Sequence, residues 1–379
     1  MRMRNLTMVG VIITFLFVGG LWYVLRSQIK PAVLPSENEI ARDIKQERLA
    51  CIAELPLKVK LGQKIMAAGY NVELANETVA FSSNDIGGII IMNETPQESL
   101  AIFRKALTIP PLIAVDQEGG SVQRYKNWGN LPGAEEMALT TTDNAYQLYL
   151  DDYKHLREHG FTTNFAPVVD VNSHTPSPLP GRMYSGDPEV VANYAKASID
   201  AAHDAGLTPV IKHFPGLGSA TGNTDFAIAS TDPLSVLESR DLIPYKKLVA
   251  LQPDVMVGNM IVPELTNGQP AIWSSEAIML LRSLGYEDAV IYSDSLTAEA
   301  VPGTVEEAAV KSWTAGIDIA LFVQNDNETL GLSNYFQKII QSGITAVGSD
   351  AISTDAINKS VYRIFERKDI DPCSLKWSE

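Results

Sequence analysis

Residues 208–214 read Thr-Pro-Val-Ile-Lys-His-Phe, a short apolar run with two polar side chains, Lys212 and His213, near its end. The same arrangement recurs at 112–116, Leu-Ile-Ala-Val-Asp, and at 289–294, Ala-Val-Ile-Tyr-Ser-Asp. Strands that are apolar almost throughout are typical of a parallel sheet covered on both faces. In α/β barrels, catalytic groups follow the carboxyl ends of such strands. These runs therefore predict both the fold and the edge where its chemistry lies.

Helical stretches separate the apolar runs along most of the chain. Strands are predicted at 88–92, 112–116, 161–171, 208–214, 254–259, 289–294 and 317–323. Helices are predicted at 96–106, 145–159, 188–205, 234–251, 275–284 and 305–315. Seven βα units in succession predict a (β/α)8 barrel, and a doubly wound sheet is the alternative. The eighth unit has the weakest pattern, with a strand at 344–347 and a helix at 354–367.

The N-terminal residues differ in charge and hydropathy from the rest of the chain. The 379 residues carry a net charge of -15, yet residues 1–30 contain four basic side chains and no acidic one. Residues 5–25 carry no charge and would span about 31 Å as a helix, close to the hydrocarbon thickness of a bilayer. A cleaved signal peptide, the alternative, usually has a shorter apolar run and a small-x-small cleavage site. We therefore predict a membrane anchor at 1–26 and an extracytoplasmic domain.

Beyond the anchor, residues 27–45 contain two prolines and several charges and predict a stalk, and residues 46–379 form the predicted barrel domain. The chain has two cysteines, Cys51 and Cys373. They are either unrelated thiols or, in an exported domain, a disulfide that joins the start of the barrel to its end.

Five motifs carry most of the polar residues predicted at the strand ends. In chain order they are Asp116-Gln-Glu-Gly-Gly-Ser-Val-Gln-Arg124, Asn164-Phe-Ala-Pro-Val-Val-Asp170, Arg182-Met-Tyr-Ser-Gly-Asp-Pro188, Lys212-His-Phe-Pro-Gly216 and Tyr292-Ser-Asp-Ser-Leu296. Together they resemble glycoside hydrolase family 3, specifically its single-domain β-N-acetylglucosaminidases, over about residues 55–322. The resemblance implies hydrolysis of terminal, non-reducing β-linked N-acetylglucosamine in amino-sugar glycans such as peptidoglycan fragments, by a retaining mechanism.

The resemblance also assigns roles to individual residues. Asp294 matches the nucleophile, for which a helix N-cap after a strand is the structural alternative. The residues that match the family's sugar-binding positions are Asp116, Arg124, Arg182, Lys212 and His213. For each of these five, the alternative is a structural role at the barrel rim: an ion pair, with Arg182 the first candidate, or a core histidine in the case of His213.

The sequence departs from the family pattern in the loop after residue 214. That pattern ends in Asp-Ser-His, whose histidine is the general acid/base, but this chain has Asn223-Thr-Asp225. Leu217 replaces a second histidine, and Ser295 also differs from the pattern. Asp225 is therefore the candidate acid/base, with His174 or Glu264 as the alternative donors.

Two other functions stay open on the sequence alone. A membrane-tethered glycan-binding protein with weak or lost catalysis is one, because losing acid/base assistance typically costs ~10²–10⁴-fold in rate. A β-glucosidase-like specificity is the other. The acidic composition argues against nucleic-acid binding, and no sequence motif predicts a metal or a cofactor. The expected partners are a glycan substrate and, through residues 1–26, a membrane.

Overall fold

A computed structural model of the protein describes residues 36–69, 81–323 and 332–376. The chain divides into two compact units, Met1–Glu47 and Arg48–Glu379. The predicted anchor at 1–26 and the first part of the predicted stalk lie outside the described residues. Residues 37–45 of the stalk prediction are helical, since helix α1 covers Glu37–Ala53. Within the described ranges, no helix combines the length and the apolar character that a membrane crossing requires.

The second unit is built on a closed barrel of eight parallel strands in sequence order. They are β1 Ile65–Gly69, β2 Gly88–Ile91, β3 Leu112–Val115, β4 Thr163–Asn164, β5 Thr208–Phe214, β6 Asp254–Val257, β7 Ile291–Ser295 and β8 Ile319–Phe322. The ring closes where β1 pairs with β8, with Ile65 opposite Ala320. The strands are almost wholly buried, as a parallel sheet covered by helices requires. The barrel prediction is confirmed, and the open-sheet alternative is wrong.

The strand that completes the barrel comes first in the chain, not last. Strand β1 has the sequence Ile-Met-Ala-Ala-Gly and begins one residue after helix Leu57–Gln63, so no turn signal separates the two elements. The predicted eighth strand at 344–347 is wrong, because these residues lie in helix Leu332–Gly348. Buried Phe336, Ile340 and Ala346 recur there at helical spacing. The predicted helix at 354–367 is confirmed.

The strand predicted at 161–171 is much shorter than expected. Regular pairing stops after Asn164, and a single bridge between Val168 and Lys212 resumes contact with β5. Pro167 lies in the gap and has no N–H to donate to a neighbouring strand. The remaining residues of this segment still carry Asp170 to the carboxyl end of the barrel.

The helices that follow α1 surround the barrel. They are α2 Leu57–Gln63, α3 Gln97–Ala106, α4 Ala134–Met137, α5 Thr142–His159, α6 Pro188–Asp204, α7 Leu234–Ser239, α8 Leu242–Leu248, α9 Ser275–Ser283, α10 Val305–Ala315, α11 Leu332–Gly348 and α12 Thr354–Arg367. The helix predicted at 234–251 is thus divided into α7, α8 and a 3-10 turn, Val249–Leu251. Thr304 and Glu307 form a reciprocal capping box that starts α10.

Buried ion pairs join the amino-terminal ends of the strands to the outer helices. Arg363 donates from Nε and Nη2 to the two carboxylate oxygens of Asp318, at 3.0 and 2.7 Å, and Arg282 donates to the same carboxylate at 2.9 Å. Burial opposes ionisation of Asp318, but Arg363 and Arg282 outweigh it and lower its pKa. Arg367 and Asp254 form a similar pair at 2.6 Å. This end of the barrel therefore serves stability.

Cys51 and Cys373 form a disulfide, with their Cα atoms 5.1 Å apart. The two residues are separated by 322 positions in the sequence. The bond joins α1 to the last described turn, Pro372–Ser374, so the disulfide alternative is confirmed and that of unrelated thiols is wrong.

Candidate active site

One cavity of about 440 Å³ opens at the carboxyl ends of the strands. Its volume lies within the usual range of small-molecule sites, about 300–1,000 Å³. It is lined by all seven residues that the sequence proposes for the site: Asp116, Arg124, Arg182, Lys212, His213, Asp225 and Asp294. Neither His174 nor Glu264, the other proposed proton donors, is among the described residues that line it.

Irregular pairing in two strands turns consecutive residues toward this cavity. The register between β5 and β6 shifts between Ile211 and Phe214, and Lys212 and His213 lie within that interval. A bulge changes the direction of the side chains in it, so neighbouring residues can both reach one face. The register between β7 and β8 shifts in the same way around Asp294.

A buried lysine holds two carboxylates at the base of the cavity. Lys212 Nζ lies 2.8 Å from Asp116 Oδ1 and 2.6 Å from Glu118 Oε1, and the lysine is 2% exposed. Burial disfavours the charged lysine, but Asp116 and Glu118 outweigh it and raise its pKa. The lysine stays charged because the two carboxylates face it.

Two arginines complete this charged cluster from outside. Arg182 donates to both oxygens of Glu118, at 2.8 and 2.9 Å, and Arg124 lies 3.3 Å from Asp116. Although burial opposes it, the charges of Arg182 and Lys212 lower the pKa of Glu118 to about 2. Arg182 therefore has the structural role that the sequence offered as its alternative, and its side chain also lines the cavity.

Glu118 is the residue that sequence reasoning left without a role. Asp116 and Glu118 are two positions apart, directly after β3, and both carboxylates reach Lys212. In extended backbone, residues two apart share a face. The spacing of Asp116 and Glu118 in the sequence could therefore have predicted a pair of carboxylates at one site.

His213 is fixed by Asp170 rather than standing alone. Its Nδ1 lies 2.7 Å from Asp170 Oδ2, and its backbone N–H also donates to this carboxylate. The remaining Asp170 oxygen accepts the Leu217 N–H at 2.6 Å. One buried aspartate thus orients the histidine and anchors the start of the loop that carries Asp225. His213 is nearly buried, as the core-histidine alternative holds, but it also lines the cavity.

Asp294 lies at the end of β7 and faces the cavity. Burial is the main cause that raises its pKa, and the charge of Asp225 adds to the effect, whereas His213 and Lys212 oppose it. Its Oδ1 accepts the N–H of Ser295 at 2.7 Å. Asp294 does not cap a helix, because the next helix, α10, has Thr304 as its N-cap. The N-cap alternative is therefore wrong.

The loop between β5 and α7 brings Asp225 to the open side of the cavity. The Asp225 N–H donates to Asn223 Oδ1 at 2.9 Å, and its carbonyl accepts the Glu299 N–H at 3.3 Å. The Asp225 side chain is exposed, yet its charge acts on both Asp294 and Arg182. Two carboxylates, Asp294 at the end of β7 and Asp225 on a loop, therefore face one cavity.

Within the described ranges, no group of three or more His, Cys, Asp or Glu side chains is arranged to hold a metal ion. The chemistry available at the site is that of carboxylates, one imidazole, and the ammonium and guanidinium groups around them.

Comparisons with known proteins place this site in a family of glycosyl hydrolases. Residues 56–366 match the family described as the glycosyl hydrolase family 3 N terminal domain. The chain is 34% identical over 321 residues to the β-hexosaminidase LpqI of Mycobacterium tuberculosis, which covers 79% of this chain and 80% of LpqI.

Solved structures show the same relationship. The structure titled M tuberculosis LpqI superposes with a TM-score of 0.77 at 32% identity, covering 85% of this chain and 96% of that one. A family 3 β-N-acetylglucosaminidase from Paenibacillus sp. str. FPU-7 gives a TM-score of 0.77 at 28% identity, covering 86% of this chain and 64% of that one. The family match spans most of the described barrel, and the cavity lies where this fold places catalysis. The chain belongs to glycoside hydrolase family 3 and is a glycoside hydrolase.

Proposed function

We propose that this protein removes terminal β-linked N-acetylglucosamine from the non-reducing end of amino-sugar glycans, peptidoglycan fragments among them, with retention of configuration. The proposal rests on the relatives named β-hexosaminidase and β-N-acetylglucosaminidase. It rests equally on one observation, that Asp294, at the end of β7, and Asp225, on the loop after β5, face a single cavity. Two carboxyl groups that flank the scissile bond are the usual requirement for glycoside hydrolysis.

Asp294 is the proposed nucleophile. Its ionised carboxylate attacks the anomeric carbon and forms a glycosyl ester while the bond to the leaving oxygen breaks. Lys212 and His213 favour the ionised form by their position, since both act to lower the Asp294 pKa against the effect of burial.

Asp225 is the proposed acid and base. In its protonated form it gives its proton to the leaving oxygen as the first bond breaks. Its carboxylate then takes a proton from water, and the resulting hydroxyl attacks the anomeric carbon and frees Asp294. Two hydrogen bonds hold Asp225 at the cavity. Its backbone N–H donates to the Asn223 side chain, and its backbone carbonyl accepts the Glu299 N–H.

The charged cluster at the base is the proposed binding site for the sugar hydroxyls. Asp116 offers carboxylate oxygens, while Lys212 and Arg124 offer N–H donors beside them. A hydroxyl group both donates and accepts, so it can bridge such a pair. Arg182 and His213 line the same cavity and complete the proposed set.

We further propose that residues 1–26 anchor the protein in a membrane and that the barrel is extracytoplasmic. The uncharged stretch at 5–25 supports an anchor. The Cys51–Cys373 disulfide supports an oxidising compartment, because such bonds are rare in the reducing cytosol.

A direct assay tests the proposed reaction. The purified full-length chain is incubated with an aryl β-N-acetylglucosaminide and, in parallel, with the matching aryl β-glucoside. We expect release from the N-acetylglucosaminide and little from the glucoside. Asp294→Asn, a nearly isosteric change, should reduce the rate by more than about 10³-fold. Faster cleavage of the glucoside would instead favour the β-glucosidase alternative, and no release from either aryl glycoside would contradict the function.

A further inference from the structure

Phe226 is a large apolar side chain exposed at the cavity. It is 71% exposed, while most aromatic residues of the described barrel are buried. Other exposed apolar residues, such as Ile102 and Leu139, stand away from the site, and scattered exposure of this kind is ordinary. Phe226 differs from them because it lines the functional cavity. An exposed aromatic ring at a binding cavity indicates a surface that a ligand covers.

The place of the ring in the site identifies which part of a ligand it meets. The hydroxyl-binding charges, Asp116 and Lys212, lie at the base, whereas Phe226 is on the open side. Phe226 directly follows Asp225, the group that meets the glycosidic oxygen. That oxygen joins the sugar being removed to the leaving group. The ring of Phe226 therefore lies beside the leaving group and not beside the sugar being removed.

Backbone contacts hold this segment in place. The Phe226 N–H donates to the Asn223 carbonyl at 3.2 Å, and the Asp225 N–H donates to the Asn223 side chain at 2.9 Å. The bond from the Glu299 N–H to the Asp225 carbonyl ties the same turn to the segment after β7. The backbone that carries the ring is thus held in place before a ligand arrives, which reduces the entropy lost on binding.

We propose that Phe226 forms the subsite for the leaving group and that its ring stacks on a second pyranose ring, so that the preferred substrates are disaccharides or longer glycans. The inference rests on the proposed function. The face of a pyranose ring presents C–H groups, and the face of an aromatic ring carries the negative part of its quadrupole. A phenylalanine has no polar atom to satisfy, so contact with the ring face suits it better than contact with a charged group.

The test compares two glycosides whose leaving groups are both alcohols. One is N,N′-diacetylchitobiose, which has a second sugar ring, and the other is methyl β-N-acetylglucosaminide, which has none. In the full-length protein, Phe226→Ala should lower kcat/KM for the disaccharide by roughly 2- to 10-fold, since an aromatic contact contributes about 0.5–1.5 kcal/mol. The methyl glycoside should be cleaved as by the wild type, and Phe226→Trp should retain the preference for the disaccharide.

Ile228→Ala is the matched control, because Ile228 is exposed on the same loop but does not line the cavity. It should leave both rates unchanged. Inhibition by free N-acetylglucosamine should also be the same in Phe226→Ala and wild type. An equal loss on both glycosides, or no loss on either, would overturn the role of Phe226 alone. A wild-type protein that cleaves neither glycoside would overturn the proposed function and this inference together.

Discussion

The carboxylate of Glu118 and the guanidinium of Arg182 form a two-point ion pair, with N–O distances of 2.8 and 2.9 Å. Glu118 also lies 2.6 Å from Lys212, so this buried carboxylate contacts two cations. Because the pair lines the substrate cavity, its geometry affects both the stability of the barrel and the position of Lys212.

Glu118→Gln should therefore destabilise the protein and weaken substrate binding. Removing one partner of a buried ion pair typically costs about 3–5 kcal/mol, because it leaves an uncompensated charge. We expect the free energy of unfolding in urea to fall by about 3 kcal/mol and KM to rise. Glu189→Gln removes a carboxylate from an exposed pair with Lys247 and should cost less than about 1 kcal/mol. Equal effects of the two changes would contradict the role of Glu118.

Asp225→Asn should slow the enzyme by a factor that depends on the leaving group. An aryl leaving group departs with little help, whereas a sugar alkoxide needs a proton. We expect kcat for N,N′-diacetylchitobiose to fall by ~10²–10⁴-fold and that for an aryl glycoside to fall much less. Asn223→Ala, which removes a side-chain contact of the same loop but no carboxyl group, is the comparison. Equal losses on the two substrates in Asp225→Asn would contradict the assignment.

The raised pKa of Asp294 sets the low-pH limit of activity. Burial is the main cause, and a nucleophile must be ionised, so the fall of kcat/KM with decreasing pH should begin above the usual carboxyl value of 3.8. The profile of Asp225→Asn with an aryl substrate isolates the effect of burial, because the substitution removes the Asp225 charge that also raises the pKa of Asp294. Activity that stays constant down to pH 4 in that variant would show that burial does not raise the pKa of Asp294.

Lys64 should make the free energy of unfolding depend on pH between about 7 and 10. It is buried, donates to the Ile317 carbonyl at 3.0 Å, and its pKa is lowered by burial to about 7. Between pH 7 and 10 the unfolded chain binds this proton more than the folded one does, so the free energy of unfolding should rise with pH. A single group contributes at most about 1.4 kcal/mol per pH unit. Burial lowers the pKa of Lys368 to about 7 as well, so Lys64→Met should reduce that slope without abolishing it, while Lys359→Met, on the exposed face of α12, should leave it unchanged.

Much of the fold could be predicted because buried parallel strands have a distinctive composition. Runs such as 112–116 and 289–294 are apolar up to one or two polar residues at their end, and both form strands of the barrel. Strand β1 was not predicted because three of its five residues, Ala-Ala-Gly, are small, and because the strand begins one residue after a helix. The strand prediction at 344–347, which lies within the helix Leu332–Gly348, was wrong because a segment of four residues is too short to show a helical or a strand period.

The candidate site was predictable in its members but not in their pairing. The motifs placed Asp116, Lys212 and Asp294 at strand ends, and the cavity brings these residues together. The partners of Lys212 depend on contacts between residues about 95 positions apart, and on a register shift in β5. Such a shift depends on the packing of two strands, which local sequence does not encode.

The disulfide has a consequence for the integrity of the chain. Because Cys51 and Cys373 are bonded, the residues between them form a covalent loop. A single cut by a protease in any loop of the barrel leaves both new ends attached to one molecule, and the strand pairing around the ring holds those ends near their original places. The barrel can therefore be cut once between the two cysteines without losing a fragment.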